Sequence, residues 1–298
     1  MATVTYPTRA AARVAHRRAT LGNVARYTVL LLVTALFLFP LLWMVASSFK
    51  NGEDIATAPF SFDPHALSLN NYTAMLAAVP LGVGFENTAI VIAIKGGLTL
   101  FFCPLAGFAF AKCRFRGRDA LFVVLLSTLM LPVIVLLIPL LLEMGALGWV
   151  NTYAGLALPG AVDAFSIFWM RQVIADIPDE LLDAGRLDGC SPFGLYWRIV
   201  LPVIRPGLAA LAVLTFIGIY NDFVWPVIVT NTVNLQTLQV MLSGLQSQID
   251  SVQVGVQGAS AWGEILAAST LASLPILVLF LVLQRQFIQG ALAGSVKG

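Results

Sequence analysis

Six stretches of the chain stay apolar for the length a bilayer demands, and no other feature narrows the fold as much. A hydrocarbon core about 30 Å thick needs roughly 20 mainly apolar residues per helix. The stretches cover approximately 27–47, 87–111, 120–142, 153–174, 207–229 and 264–287. Composition agrees: of 298 residues, 59% are hydrophobic and 11% charged, where a soluble domain carries about a quarter of its residues as charges. So few charges do not cover a globule of this length with water-compatible surface, which excludes an ordinary cytoplasmic enzyme, a disordered regulator and a coiled-coil rod. Pro40, Pro104, Pro132, Pro139 and Pro275 fall inside the runs. Membrane helices tolerate proline where neighbours re-satisfy the freed carbonyls. The expected fold class is all-α, polytopic, with six spans.

Orientation follows from Lys and Arg, which concentrate on the cytoplasmic side. Of the 17 basic residues only Lys50 and Lys95 fall outside one alternating set. That set comprises a tail over 1–26 (Arg9, Arg13, Arg17, Arg18, Arg26), the link between spans two and three (Lys112, Arg114, Arg116, Arg118), the link between spans four and five (Arg171, Arg186, Arg198, Arg205), and the C-terminal end (Arg285, Lys297). Six spans with both termini cytoplasmic fit this pattern. The first run, about 21 residues, exceeds the roughly 7–15 of a secretory signal core and reads as a retained signal-anchor. The basic tail also attracts anionic lipid.

The outer connections differ. Residues 48–86 form a long one with Glu53, Asp54, Asp63 and Glu86; 143–152 is short; 230–263 is rich in Gln, Asn and Ser. Loops of such length in a compact protein are often functional. Cys103, Cys113 and Cys190 show no paired spacing and read as small buried or interfacial thiols. A net charge of +2 gives no footprint for nucleic acid.

The informative segment runs from Ile177 to Pro206, on the cytoplasmic side. Pro178 suits a first helical position, and Asp179 and Glu180 follow where the positive helix end favours anions. Leu181, Leu182 and Leu187 supply an apolar stripe, and Gly189 suits the left-handed residue that ends such a helix. Ser191-Pro192 reads as a cap and first-position proline opening a second short helix through Phe193, Tyr196, Trp197 and Ile199, closed by Pro202. An apolar helix–Gly–helix element on this side either lies in the lipid headgroups or docks its anchors into a groove on a soluble partner.

Here the chain resembles a known family. Asp183-Ala184-Gly185, Asp188-Gly189, and Ile199, Leu201 and Pro202 are similar to the EAA loop of ABC importer permeases. That loop reads Glu-Ala-Ala, a Gly four residues on, then Ile-x-Leu-Pro. Asn87-Thr88, Phe115-Arg116-Gly117, Asn221-Asp222-Phe223, Trp225-Pro226 and the tail with Gly290 and Gly294-Ser295-Val296-Lys297-Gly298 resemble the carbohydrate type, similar to the second permease of maltose-like importers. The resemblance runs from about Leu36 to the end. Asp183 stands where the motif has Glu, and Gly185 where it has a second Ala; glycine in a helix costs about 1 kcal/mol relative to Ala.

The resemblance implies a type I importer permease that is not itself an enzyme and holds no cofactor or metal. ATP and magnesium would belong to a partner ABC ATPase dimer gripping the loop over 176–205, with Phe193 among the loop's anchors. A second six-span permease would complete the path, an extracytoplasmic solute-binding protein would deliver a sugar or related solute, and no nucleic acid would take part.

Lys95, Asp163 and Asp222 fall within expected spans, where an ionisable group is costly and marks a functional candidate. Lys95 and Asp222 either pair, face a subunit interface, or line a hydrated path. Asn221 and Asp222, with Tyr220 and Trp225, offer amide, carboxylate and aromatic groups suited to a hydroxylated solute. Glu143 and Glu264 sit at span ends. Two other classes compete with the importer: a membrane enzyme acting on lipid-linked sugar, and a self-sufficient secondary transporter. His16 and His65 fall on opposite sides, and no HExxH, DxD or GK[ST] phosphate loop occurs. No repeat of the first three spans in the second three, as secondary carriers often show, is evident.

Overall fold

A computed structural model describes residues 9–61, 63, 67–251 and 256–295. His65 and the tail residues Val296, Lys297 and Gly298 lie outside the described residues. Among those described, all regular structure is helical. Among the described residues three helical stretches are long and apolar enough to cross a membrane, Arg26–Ser47, Leu81–Lys112 and Trp262–Leu283, or up to five if each of two bent helix pairs counts as one span.

The chain divides into two compact units. The first comprises Met1–Thr73 with Val254–Thr270. Helix α1 (Arg9–Ser47) carries Pro40 inside it, and the chain beyond its end folds into a cap. There Asn71 Nδ2 donates to the carbonyls of Ser48 (2.8 Å) and Lys50 (2.7 Å). Lys50 Nζ and Trp43 Nε1 both donate to Pro59 O, at 2.8 and 2.9 Å. Backbone groups that the end of α1 and the short α2 (Gly52–Thr57) leave open thus find side-chain partners, as buried polar groups require.

The second unit, Ala74–Gln253 with Leu271–Gly298, carries the candidate site residues. Following α3 (Asn70–Ala78), α4 (Leu81–Val91) runs through a π-helical turn at Ile92–Gly96 into α5 (Gly97–Lys112). The Asn87-Thr88 pair is structural. Asn87 Nδ2 donates to the carbonyls of Asn234 (2.9 Å) and Gln236 (2.8 Å), its Oδ1 accepts from Tyr153 OH (2.6 Å), and Thr88 Oγ1 accepts from Leu238 N (2.9 Å). These bonds hold the polar connection before α15 (Leu238–Ser251) against the second half of α4.

Three expected spans are broken, each for a local reason. The third bends by 102° between α6 (Arg118–Thr128) and α7 (Val133–Ala146). Pro132 sits at the bend, where it lacks an N–H and disfavours helical φ/ψ in the preceding residue. The fourth divides into α8 (Tyr153–Ala157) and α9 (Ala164–Ala175). Pro159 and Gly160, the latter at φ +69°, make the gap between them. The fifth ends its main helix at Tyr220, three residues before a short apolar helix over Val224–Val229. Pro40, Pro104, Pro139 and Pro275 lie within helices, as expected. The basic link's Gly117, at φ +82°, turns the chain into α6. Cys103 is buried, Cys113 and Cys190 are half-buried, and all three are free.

Helices α5 and α9 cross at Gly107. A Cβ there would stand 2.9 Å from Arg171 N and 3.0 Å from the Met170 carbonyl carbon. Those are backbone atoms, so a larger residue pushes two helices apart instead of turning a rotamer. Gly107→Val is expected to cost about 1–3 kcal/mol and lower the melting temperature in detergent, while Gly97→Ala, with nothing within 4 Å of its Cβ, leaves it unchanged or raised.

Candidate functional site

Two places gather the expected residues: an elbow between α9 and the following long helix, and a cleft at the helix breaks. The elbow opens with α10 (Asp179–Leu187), preceded by Pro178 and holding Asp179 and Glu180 in its first turn. It stops as expected. Gly189 sits at φ +80°, Cys190 N donates to Gly185 O and Gly189 N to Arg186 O, each at 3.0 Å. This is the paired bonding by which a left-handed glycine satisfies the last carbonyls. Ser191 then caps the next helix, its Oγ accepting from Gly194 N at 3.2 Å, with Pro192 at the first position.

Pro202, expected to close that helix, lies within it. The chain runs as α11 (Pro192–Leu195), a π-helical turn at Tyr196–Val200 and α12 (Leu201–Val203), and turns only at Ile204. The wider π turn shifts the backbone partners where Pro202 has no N–H to give. From Ile204 the chain bends by 79° into α13 (Arg205–Tyr220).

The elbow has a buried face and a bare one. Leu182, Leu195, Tyr196 and Val200 join Phe108, Met170 and Ile174 in one apolar cluster, with Ile199 and Leu201 packed against it. Leu187 and Phe193 are 89% and 57% exposed, Leu181 and Trp197 are partly exposed, and the Trp197 ring packs against Phe101, Phe193 and Tyr196. Gly185 lies where α10 meets the second helix. A Cβ there would come within 2.5 Å of Ile199 Cδ1 and 2.6 Å of Leu195 Cδ2. The small residue therefore sets the spacing, and with these neighbours even alanine requires them to move. Asp183 is spent locally: its carboxylate accepts from Arg186 Nη1 at 2.6 Å, one helical turn on, and both are exposed. Ala184 and Asp188 supply helix-end backbone, Asp188 N donating to Ala184 O at 3.0 Å.

A positioning residue hidden in the sequence is Lys112, which counted there only as part of a basic link. Its Nζ donates to Ala175 O (3.2 Å), Ile177 O (2.6 Å) and Asp179 Oδ1 (2.7 Å), with the lysine side chain 9% exposed. One ammonium thus ties the end of α5 to the last carbonyl of α9, the Ile177 carbonyl of the link and the first residue of α10. Cation placement at a helix C-terminus is favourable in its own right. The Lys112 hydrogen bond and charge hold the Asp179 carboxyl below its ordinary range.

The cleft has a volume of about 220 Å³. Lys95, Thr99, Asp163, Ser166, Thr215 and Asp222 line it. Lys95 projects from the π turn, Asp163 caps α9, and Asp222 lies in the gap before α14 (Val224–Val229). Asp163 Oδ1 accepts from Ser166 N at 2.9 Å and Oδ2 from Ser166 Oγ. Among the described residues no ion pair within 4.0 Å joins Lys95 to Asp163 or Asp222. The other members of the expected solute-facing set sit elsewhere. Tyr220 is buried, its OH donating to Ala272 O at 2.6 Å. Trp225 is buried, its Nε1 donating to Gly155 O at 2.9 Å, and Asn221 Nδ2 turns back to Ile217 O at 3.0 Å. Glycine spacing was the available sequence signal for the cleft: Gly160 and Gly218 both border it.

Residues 104–292 match the family described as binding-protein-dependent transport system inner membrane component. The chain belongs to this family. It is a non-catalytic permease subunit of an ABC importer, a multi-pass inner-membrane protein of the sugar type. It is 34% identical over 263 residues to the arabinooligosaccharides transport system permease protein AraQ of Halalkalibacterium halodurans, covering 87% of this chain and 91% of that one. Over 280 residues it is 33% identical to the lactose transport system permease protein LacG of Rhizobium radiobacter, covering 94% and 98%. The sn-glycerol-3-phosphate transport system permease protein UgpE of Salmonella typhi is 32% identical over 273 residues, covering 89% and 94%. The fold matches a chain of a bacterial ABC transporter involved in the import of the acidic polysaccharide alginate, with a TM-score of 0.76, 20% identity and 95% and 99% coverage. Membership removes the lipid-linked-sugar enzyme and the secondary transporter from consideration.

Replacing Lys112 with Met should loosen the junction of α9 and α10 and speed proteolysis or hydrogen exchange over residues 176–190. Because the Asp179 carboxyl is held low, its pairing is fully present above the ordinary carboxylate pKa of about 4 and is lost only as pH falls through the lower folded value. Exchange over this junction is therefore expected to show no carboxylate-linked change between pH 5 and 8, and a transition there assigned to Asp179 contradicts the pairing.

Proposed function

We propose that residues 176–205 are the element through which a cytoplasmic ATPase dimer moves this permease. The carrying observation is the elbow's two faces: one locked into the chain's own apolar cluster, the other presenting Leu181, Leu187 and Phe193 to the outside. An element rigid toward its own chain and apolar toward the outside transmits a push without chemistry. Asp183, Ala184, Gly185, Asp188, Gly189, Ile199, Leu201 and Pro202 serve here as its frame, and Phe193 as an anchor. When nucleotide binding closes the ATPase pair, the elbow travels as a rigid body. Lys112 carries the displacement into α5 and α9, and the turn at Ile204 carries it into α13. The path then switches between inward-facing and outward-facing states.

In this reading the chain makes six crossings, with both ends and the tail over 1–26 cytoplasmic, the divided segments counting as crossings four and five. Residues 27–298 form the permease body. A second six-span subunit completes the path, an extracytoplasmic binding protein delivers solute, and ATP and magnesium belong to the ATPase. Relatives named for lactose, arabinooligosaccharides and sn-glycerol-3-phosphate support a hydroxylated solute. The cleft, with Lys95 and Asp222, is this subunit's contribution to the path. Tyr220, Asn221 and Trp225 serve it by fixing the chain around the break.

Gly189→Val in the assembled transporter tests the elbow. A β-branched residue at φ +80° costs on the order of 1–2 kcal/mol and re-aims α11, so uptake should fall at least about tenfold while ATP hydrolysis persists. Leu187→Asp provides a second variant that leaves the chain's own packing intact, since the side chain is 89% exposed; it should release the ATPase on purification. Unchanged uptake with Gly189→Val and undiminished ATPase recovery with Leu187→Asp would together overturn the assignment.

A further inference from the structure

Three irregularities of the backbone meet at the cleft. The π turn at Ile92–Gly96 carries Lys95, the gap between α8 and α9 carries Gly160 and Asp163, and the gap before α14 carries Asp222. Each interrupts a segment that a uniform apolar span would run straight through, and irregular backbone at membrane depth is tolerated where it lines a cavity or is buried in protein. Gly160 exposes bare backbone toward the lysine: a Cβ built there would stand 3.7 Å from Lys95 Nζ.

The hydrogen-bonding balance of the cleft is specific. Asp163 has both oxygens engaged by Ser166. Among the described residues, neither a hydrogen bond nor an ion pair occupies the Lys95 ammonium. Asp222 accepts one backbone hydrogen bond, from Trp225, so its remaining lone pairs and the three N–H donors of Lys95 are left to line the cleft. A hydroxyl both donates and accepts, so a polyol satisfies both groups at once. A phosphate or carboxylate only accepts: it finds one ammonium against two carboxylates, and low dielectric magnifies the repulsion.

We propose that this cleft is a selectivity subsite for uncharged polyhydroxylated solutes that disfavours anionic ones, with Lys95 donating to and Asp222 accepting from solute hydroxyls. The proposal rests on the reading that the cleft belongs to the path. It narrows the solute class suggested for the importer to its uncharged members. Asp163 contributes charge and shape, since its lone pairs toward Ser166 are already used.

Thiol labelling in the complete transporter tests it. Gly218 borders the cleft and a Cβ there meets nothing within 4 Å, so Gly218→Cys keeps the packing; Thr215→Cys provides a second position on the lining. Each is treated with the uncharged hydroxyethyl and the anionic sulfonatoethyl methanethiosulfonate, and labelling is taken above that of the parent chain with its three native thiols. Rates are normalised to those with a small free thiol. The hydroxyethyl reagent should react about tenfold or more faster than the sulfonate, and Asp222→Asn should pull that ratio toward one. A ratio near one, or favouring the sulfonate, overturns the selectivity while leaving the cleft on the path. No labelling by either reagent at either position, in any nucleotide state, overturns the path reading and the proposal with it.

Discussion

A backbone amide or carbonyl left without a partner is costly wherever water cannot reach it, and most of all in hydrocarbon, and the rest of this architecture follows from how the chain meets that demand where its helices stop. Ser166 N closes onto Asp163, Cys190 N and Gly189 N close the end of α10, and Gly194 N closes onto Ser191. Lys112 covers the last carbonyl of α9 and the Ile177 carbonyl of the link from another helix altogether. Because each interruption is satisfied internally, the chain can place turns where function needs them and keep the intervening helices stiff. Stiffness matters for a subunit with no chemistry of its own, whose output is displacement.

Two interruptions have different characters. At the elbow, apolar side chains are divided between the cluster that includes Leu182, Leu195 and Val200 and a bare surface around Leu187 and Phe193. Leu187 gains little from the chain itself, and burying it against a partner is worth about 1.5–3 kcal/mol. At the cleft, charged and hydroxyl groups share the lining with Phe165, Leu211, Leu214 and Ile219, and Tyr220 and Trp225 donate hydrogen bonds into the surrounding protein. In the proposed reading the first is held by a partner and the second is passed by solute.

The apolar runs were legible because hydropathy is a property of composition over twenty residues, and the elbow because Pro178, Gly189 and Ser191-Pro192 are local punctuation with local causes. Breaks inside the runs were less so. Pro159-Gly160 reads as a turn in water, yet the same dipeptide is compatible with a membrane helix when neighbours repair it, so only the packing of α8 and α9 decides. Pro202 shows the converse: the π turn at Tyr196–Val200 absorbs it, and such a turn has no sequence signature of its own. Lys112 was hidden by its company, one cation among four in a basic link, and its role depends on carbonyls more than 60 residues away. Tyr220 and Trp225 have the chemistry to face a sugar, and only the folded chain shows that both are buried with their polar atoms bonded to Ala272 O and Gly155 O.

The claim that the elbow is a grip for a motor subunit is tested most directly by a photo-crosslinker at Leu187, introduced as benzoyl-phenylalanine in the intact transporter in its native membrane. The account predicts a protein adduct containing the ATP-hydrolysing subunit, with a yield that changes when nucleotide is trapped. Adducts confined to lipid, or none with that subunit under any nucleotide condition, would show an amphipathic segment resting in headgroups and would contradict the account.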